Sequence, residues 1–139
     1  MKIIGTGSSL PSLSVTNEML SVFLDTSDEW IRSRTGILER RIISDENLKD
    51  LAIEASQKAL DDAGLTGSEL DYIICSNVVN YYVTPSISCL VAGGIQAACP
   101  CVDLNAACTG FLYCLDMAAA YIAAKKAKNI LVVCAEEPT

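Results

Sequence analysis

The sequence predicts a three-layer α/β fold, and three observations carry that expectation. Short apolar runs at residues 71–79, 101–104 and 129–135 alternate with segments of helical periodicity. The runs have continuous rather than alternating apolar centres, as in YIIC and ILVVC, which suits strands covered on both faces. The helix expected after Cys108 has little polar circumference before Lys125, so it belongs between layers.

Each element follows from local signals. Residues 2–6 read as a first strand ending in the turn GTGSSLP. That turn lacks the third glycine of a dinucleotide fingerprint, and no helix pattern follows it directly. Thr16 is placed to cap a helix running to about Leu24, with Val15 and Leu20 as a hydrophobic staple. Thr26 and Glu29 have capping-box spacing for a second helix carrying Trp30, Ile31 and Arg34, and Gly36 is placed to end it. Residues 38–43 are expected to be extended. Residues 49–63 have the clearest amphipathic pattern, with Leu48, Ala52, Ala55, Ala59 and Ala63 recurring every three to four positions. Gly64 terminates this helix, and Thr66 with Glu69 caps one further turn. Residues 80–84 form a loop containing Tyr81 and Tyr82. Pro85 opens the next helix, which runs to about Gly93. The helix after Cys108 places Phe111, Leu115, Ala118 and Ile122 on one side, and Lys125, Lys126 and Lys128 suit its C-terminal end.

Composition narrows the functional classes. The 139 residues are enough for one domain with a core, and no apolar run approaches the roughly 18 residues of a membrane span. The apolar run at the N-terminus is too short for a secretory signal. A net charge of -7 disfavours nucleic acid as a partner. The seven cysteines are odd in number and mostly sit inside apolar elements, so a reducing cytoplasm fits better than a disulfide framework. Cys99 and Cys101 form a C-x-C pair with no second pair and no histidine, so no metal site is predicted. The chain has no histidine at all, which removes imidazole acid–base chemistry and Cys-His or Ser-His-Asp arrangements within this polypeptide.

Two places have chemical potential. Cys108 lies where a buried strand turns into a long helix. The first amides of that helix have no intrahelical partners, favour the thiolate and can help to hold an oxyanion. A buried structural cysteine is the other reading of the same pattern. Trp30, the single tryptophan, is either ordinary core or a platform for an aromatic ligand. Arg32, Arg34, Arg40 and Arg41 fall close to it in sequence, as solvated charges or as partners for a local anion.

Several motifs in order resemble the N-terminal portion of the ketoacyl-acyl carrier protein synthase III family, within the thiolase-like condensing enzymes. They are KIIGTGSSLP, DTSDEWIRSRTGILERR (residues 25–41), YIICSN, the TPS of residues 84–86, and DLNAACTGFLY around Cys108. The resemblance covers essentially the whole chain. It implies a thiolase-like α/β/α half with a mixed sheet that lacks its last, antiparallel strand. Residues 1–139 would then be an incomplete N-terminal domain, with the C-terminal half absent.

The resemblance also implies roles by position. Cys108 matches the nucleophile that takes an acyl group from acyl-coenzyme A. Trp30 matches the residue stacking on the coenzyme A adenine, with Thr26 beside that contact and Arg34 near the phosphates. Thr84 matches the acyl-pocket wall, where related enzymes often have an aromatic residue. No cofactor is implied, and acyl-coenzyme A is a substrate. The partners implied are malonyl-acyl carrier protein and, for the full-length family, a second copy in a homodimer. The family takes its decarboxylating histidine and asparagine from the second half of its chain, and none of Asn77, Asn80 or Asn105 matches that asparagine. The whole reaction is therefore not expected of residues 1–139 alone. Another coenzyme A-dependent condensing enzyme and a noncatalytic acyl-binding or assembly subunit are the alternatives.

Overall fold

The computed structural model describes residues 1–80 and 82–137. They form two compact units: residues 1–9 with 48–139, and residues 10–47.

The larger unit is built on a parallel three-stranded sheet. Its strands are β3 (Tyr72–Ser76), β4 (Cys101–Leu104) and β5 (Ile130–Cys134), in the order β4-β3-β5. The register pairs Ile74 with Val102 on one side and with Val132 on the other. β3 is central, and Ile73, Ile74 and Cys75 are all fully buried, which is why its sequence is continuously apolar. Alternation along the strand sends Ile74 to one face, where it packs with Cys114 and Ala118 of helix α5 (Gly110–Ala123). Ile73 and Cys75 project to the opposite face, where helices α3 (Leu48–Ala63) and α4 (Ile87–Gly94) pack. The expected three layers are therefore present in this unit.

Two helix ends follow the sequence rules closely. Gly64 takes the left-handed conformation after α3 with φ of 66°. Thr66 and Glu69 form the expected capping box around a single 3₁₀ turn (Gly67–Glu69), the Thr66 amide donating to Glu69 Oε2 at 2.9 Å.

Residues 2–6, expected as a strand, form no strand. Thr6, at the end of that segment, and Ser8, just beyond it, are engaged by α3 instead. The Thr6 amide donates to Asp62 Oδ2 at 2.9 Å, and Lys58 Nζ donates to the Ser8 carbonyl at 3.1 Å. Gly5 and Gly7 lie so close to the Ala55–Ala59–Ala63 stripe that a Cβ on either would collide with α3 backbone. The stripe of alanines thus serves this N-terminal segment, while Leu48, Ala52, Ser56 and Leu60 form the buried seam of α3. An apolar cavity of about 370 Å³ separates residues 1–7 from β5, with Phe111, Leu115, Leu131 and Val133 among its walls. Among the described residues β5 is an edge of this sheet.

The sheet is parallel throughout, and the antiparallel pairing among the described residues lies in the smaller unit. There β1 (Leu13–Thr16), not anticipated as a strand, pairs with β2 (Glu39–Ile42) in a two-stranded ribbon. Thr16 caps α1 (Asn17–Ser21) as expected, but the helix is shorter than the pattern suggested. Asn17 is fully buried. It donates to Asp28 and to the Ile37 carbonyl, each at 2.8 Å, and accepts from Arg40 at 2.6 Å. This polar hub ties α1, the ribbon and α2 (Asp28–Thr35) together. α2 is capped by Ser27, one residue later than expected, and ends at Gly36 with φ of 75°.

Candidate active site

The site around Cys108 begins with β4. At its end the chain forms a 3₁₀ turn (Ala107–Thr109) that leads directly into α5. Cys108 lies in this turn and is exposed, so the buried structural alternative is set aside. Ala107, immediately before it, has φ of 46°. A residue with a Cβ avoids that left-handed conformation at a cost of roughly 1–2 kcal/mol, and such strain concentrates at functional positions. The Thr109 amide donates to the Ala106 carbonyl at 3.1 Å, and the Gly110 amide to the Ala107 carbonyl. Both amides after Cys108 are therefore committed within the turn. The backbone donor left to consider for an oxyanion is the Cys108 amide itself.

Tight packing beneath the turn fixes its position. A Cβ on Gly110 would collide with the buried Ser76 at the end of β3, so only glycine lets α5 start this close to the sheet. Asn77 continues the same junction, donating to the carbonyls of Val79 at 2.9 Å and Ala135 at 2.6 Å.

Asp103 is a residue that the sequence patterns did not single out. Its carboxylate accepts the Ile87 and Ser88 amides, both at 2.9 Å, at the start of α4. Ser86 Oγ adds a cap from the Cys89 amide. Asp103 thus ties β4, the strand leading to Cys108, to the helix that follows Thr84. A buried-strand Asp facing a helix start was the available signal. Thr84 is exposed and precedes that helix by three residues. Tyr81 lies outside the described residues, and Tyr82 is exposed.

Thr26, Trp30 and Arg34 belong to the smaller unit. Trp30 is 58 % exposed, so it is not core. The Arg34 guanidinium lies 6.0 Å from its ring centroid, one helical turn along α2. Thr26 Oγ1 is buried and has no hydrogen-bond partner. The other arginines divide by role. Arg40 is occupied by Asn17 and the Val15 carbonyl, and Arg41 by the Ser12 carbonyl at 3.1 Å. These two hold the ribbon together, which leaves Arg32 and Arg34 exposed on α2, with Arg34 beside the exposed ring.

The first turn of α5 exposes large apolar side chains. Phe111, Leu112 and Tyr113 on α5 are all about half exposed or more, although the sequence placed this helix between layers. Only the Gly110–Cys114–Ala118 seam is buried. No helix among the described residues is long and apolar enough to cross a membrane.

Comparison with known proteins shows what these features resemble. Residues 102–139 match the family model for 3-oxoacyl-[acyl-carrier-protein] synthase III. A β-ketoacyl-[acyl-carrier-protein] synthase III of Clostridium perfringens is 51 % identical over 136 residues, covering 97 % of this chain and 42 % of the relative. The solved 3-oxoacyl-[acyl-carrier-protein] synthase III of Aquifex aeolicus superposes with a TM-score of 0.95 at 46 % identity, covering 98 % of this chain and 44 % of that one. The priming β-ketosynthase of the R1128 polyketide pathway superposes with a TM-score of 0.93 at 35 % identity, covering 98 % and 41 %. The chain spans about two fifths of the length of the curated relatives it matches. With these likenesses running along nearly its whole length, the chain is similar to the N-terminal portion of β-ketoacyl-acyl carrier protein synthase III.

Proposed function

We propose that this chain supplies the acyl-accepting part of a condensing acyltransferase that initiates fatty acid synthesis in the cytoplasm. One observation carries the reading furthest: an exposed cysteine in a strained strand-to-helix turn, in a chain that superposes on synthase III over 98 % of its length. In this reading the Cys108 thiolate attacks the carbonyl of acyl-coenzyme A. Negative charge develops on the carbonyl oxygen, and the Cys108 amide is the donor proposed to meet it. Coenzyme A leaves as its thiol, and the acyl group remains on Cys108 as a thioester.

Thr26, Trp30 and Arg34 are proposed to hold the coenzyme. The exposed indole offers its face to adenine and Arg34 offers charge to phosphate, with Thr26 beside Ser27, the cap of the helix that carries both. Thr84 is proposed to line the acyl pocket, where its small side chain leaves room for the chain. No cofactor enters this half-reaction.

In the second half-reaction, malonyl-acyl carrier protein loses carbon dioxide, and its carbanion attacks the thioester to give a 3-oxoacyl product. This chain holds no histidine, so the decarboxylating groups are assigned to residues beyond it, in the full-length homodimer. A polyketide-priming role is the second reading, favoured by the likeness to the R1128 ketosynthase.

The test is release of free coenzyme A from acetyl-coenzyme A. A stoichiometric burst that Cys108→Ser abolishes supports the proposal. A burst unaffected by that substitution contradicts it.

A further inference from the structure

Helix α2 carries Trp30 and Arg34 but has little apolar anchorage of its own. None of its eight residues is buried, and only Asp28 and Ile31, one turn apart, are half-buried. A helix of this length is marginal in water without outside support. One buried carboxamide supplies that support at both ends. Asn17 Nδ2 donates to Asp28 Oδ1, on the first residue of α2, and to the Ile37 carbonyl, just past the Gly36 that ends it, each at 2.8 Å. Asn17 Oδ1 accepts from Arg40 Nη2 at 2.6 Å, and Arg40 Nη1 donates across the ribbon to the Val15 carbonyl at 3.0 Å. The clasp on α2 is thereby mounted on the β1–β2 pair. Asn17 is fully buried, so solvent does not replace a lost partner.

We infer that Asn17, with Asp28 and Arg40, is a positioning group for coenzyme A: it fixes the rotation of α2 that presents Trp30 and Arg34 together. The inference rests on the reading of those two residues as coenzyme contacts. They lie four residues apart, on a stripe distinct from that of Asp28 and Ile31, with the guanidinium 6.0 Å from the ring centroid. Asn17 sets the inner face of the helix, and the outer stripe is set with it.

The chemistry accounts for the residue type. The carboxamide offers two protons on one side and an acceptor oxygen on the other, and all three are used. A carboxylate at position 17 alone would meet the Asp28 carboxylate and the Ile37 carbonyl with no proton to give. An apolar side chain there would leave the Arg40 guanidinium without its buried acceptor.

Trp30 is the single tryptophan, so its emission reads α2 directly. The parent is compared with Asn17→Ala, with Asp28→Ala, and with the exchange Asn17→Asp plus Asp28→Asn. Asp28→Ala keeps the buried carboxamide and its contacts with Ile37 and Arg40, which guards against a fold lost in Asn17→Ala. In the exchange, the new carboxylate accepts from Arg40 and from the new amide. Two quantities are measured without denaturant: the anisotropy decay of Trp30 in the free protein, and quenching of Trp30 by coenzyme A. Both alanine variants should gain a fast local component in the decay and bind coenzyme A about tenfold more weakly, the size expected for loss of a hydrogen bond to a charged group. The exchange should recover most of the affinity. Parent-like decay and affinity in both alanine variants would overturn the inference, even if their urea midpoints fall, because the clasp would then be structural only. An exchange no better than Asn17→Ala would also overturn it. Absence of quenching in the parent would refute the coenzyme site itself, and the inference with it.

Discussion

Replacing Asp103 tests how the site's two supporting elements are joined. In the structure, both carboxylate oxygens are used, each accepting a backbone amide of α4 at 2.9 Å. Asp103→Ala leaves the Ile87 and Ser88 amides without that partner, at a start of α4 where both residues are buried. A hydrogen bond to a charged group contributes ~1.5–3 kcal/mol, and loss of a helix N-cap costs ~0.5–2 kcal/mol. These describe the same interaction and are not summed. Ser86 Oγ still caps the Cys89 amide, and Asp103 is only half-buried, so the lower range applies. The expected destabilisation is about 2 kcal/mol, close to a thirtyfold change in the unfolding constant. Asp103→Asn keeps one acceptor oxygen and should lose about half as much. Urea denaturation followed by far-ultraviolet circular dichroism measures both variants, with an unchanged slope confirming a stability effect. If Asp103→Ala falls within ~0.5 kcal/mol of the parent, the strand-to-helix tether is not what positions α4.

Other consequences follow from the same geometry. Gly110→Ala should destabilise by roughly 1–3 kcal/mol through collision with Ser76, and adding Ser76→Gly should recover part of that loss in a double-mutant cycle. Glu46 is held down at about 2 by hydrogen bonds from the Ser12 side chain, the Ser12 amide and the Ser44 amide. Its folded value is below its ordinary 4.5, so its contribution is present above pH 4.5 and is lost as pH falls toward 2. Glu46→Gln should flatten the stability profile across that window, and a profile of unchanged slope would remove Glu46 from the account of acid sensitivity. Burial pushes the thiols of Cys75 and Cys114 up, so both should resist alkylation at neutral pH while Cys108 and Cys89 react, as read by timed iodoacetamide labelling.

Much of the fold was legible because local and tertiary preferences agree. The buried triple Ile73, Ile74 and Cys75 gave β3 a signature that no surface strand shares. α3 was visible in its periodicity, and Gly36 and Gly64 ended helices where a positive φ was required. The failures have separate physical causes. Residues 2–6 have strand-like composition, but a strand also needs a hydrogen-bonding neighbour, and here Asp62 holds Thr6, and Lys58 the adjoining Ser8, on α3. β2 falls within the extended segment expected at residues 38–43, but its partner β1 was missed because polar contacts such as those of Arg40 with Val15 and Asn17 support it, which hydrophobic periodicity does not register. α5 read as a helix between layers because its composition is apolar all round, whereas packing in this chain covers only the Gly110–Cys114–Ala118 seam. At the candidate site, Cys108 and Trp30 stood out as residue types in distinctive positions. Asp103, Ser76 and the left-handed Ala107 act through distances and angles that spacing does not encode.

The central claim is that Cys108 accepts an acyl group, and one measurement meets it directly. The protein is incubated with acetyl-coenzyme A, digested under conditions that preserve thioesters, and each cysteine peptide is weighed. The account predicts one acetyl group on the Cys108 peptide, sensitive to hydroxylamine and absent from Cys108→Ser. Acetylation spread over Cys89 and Cys134 with none on Cys108 would contradict it.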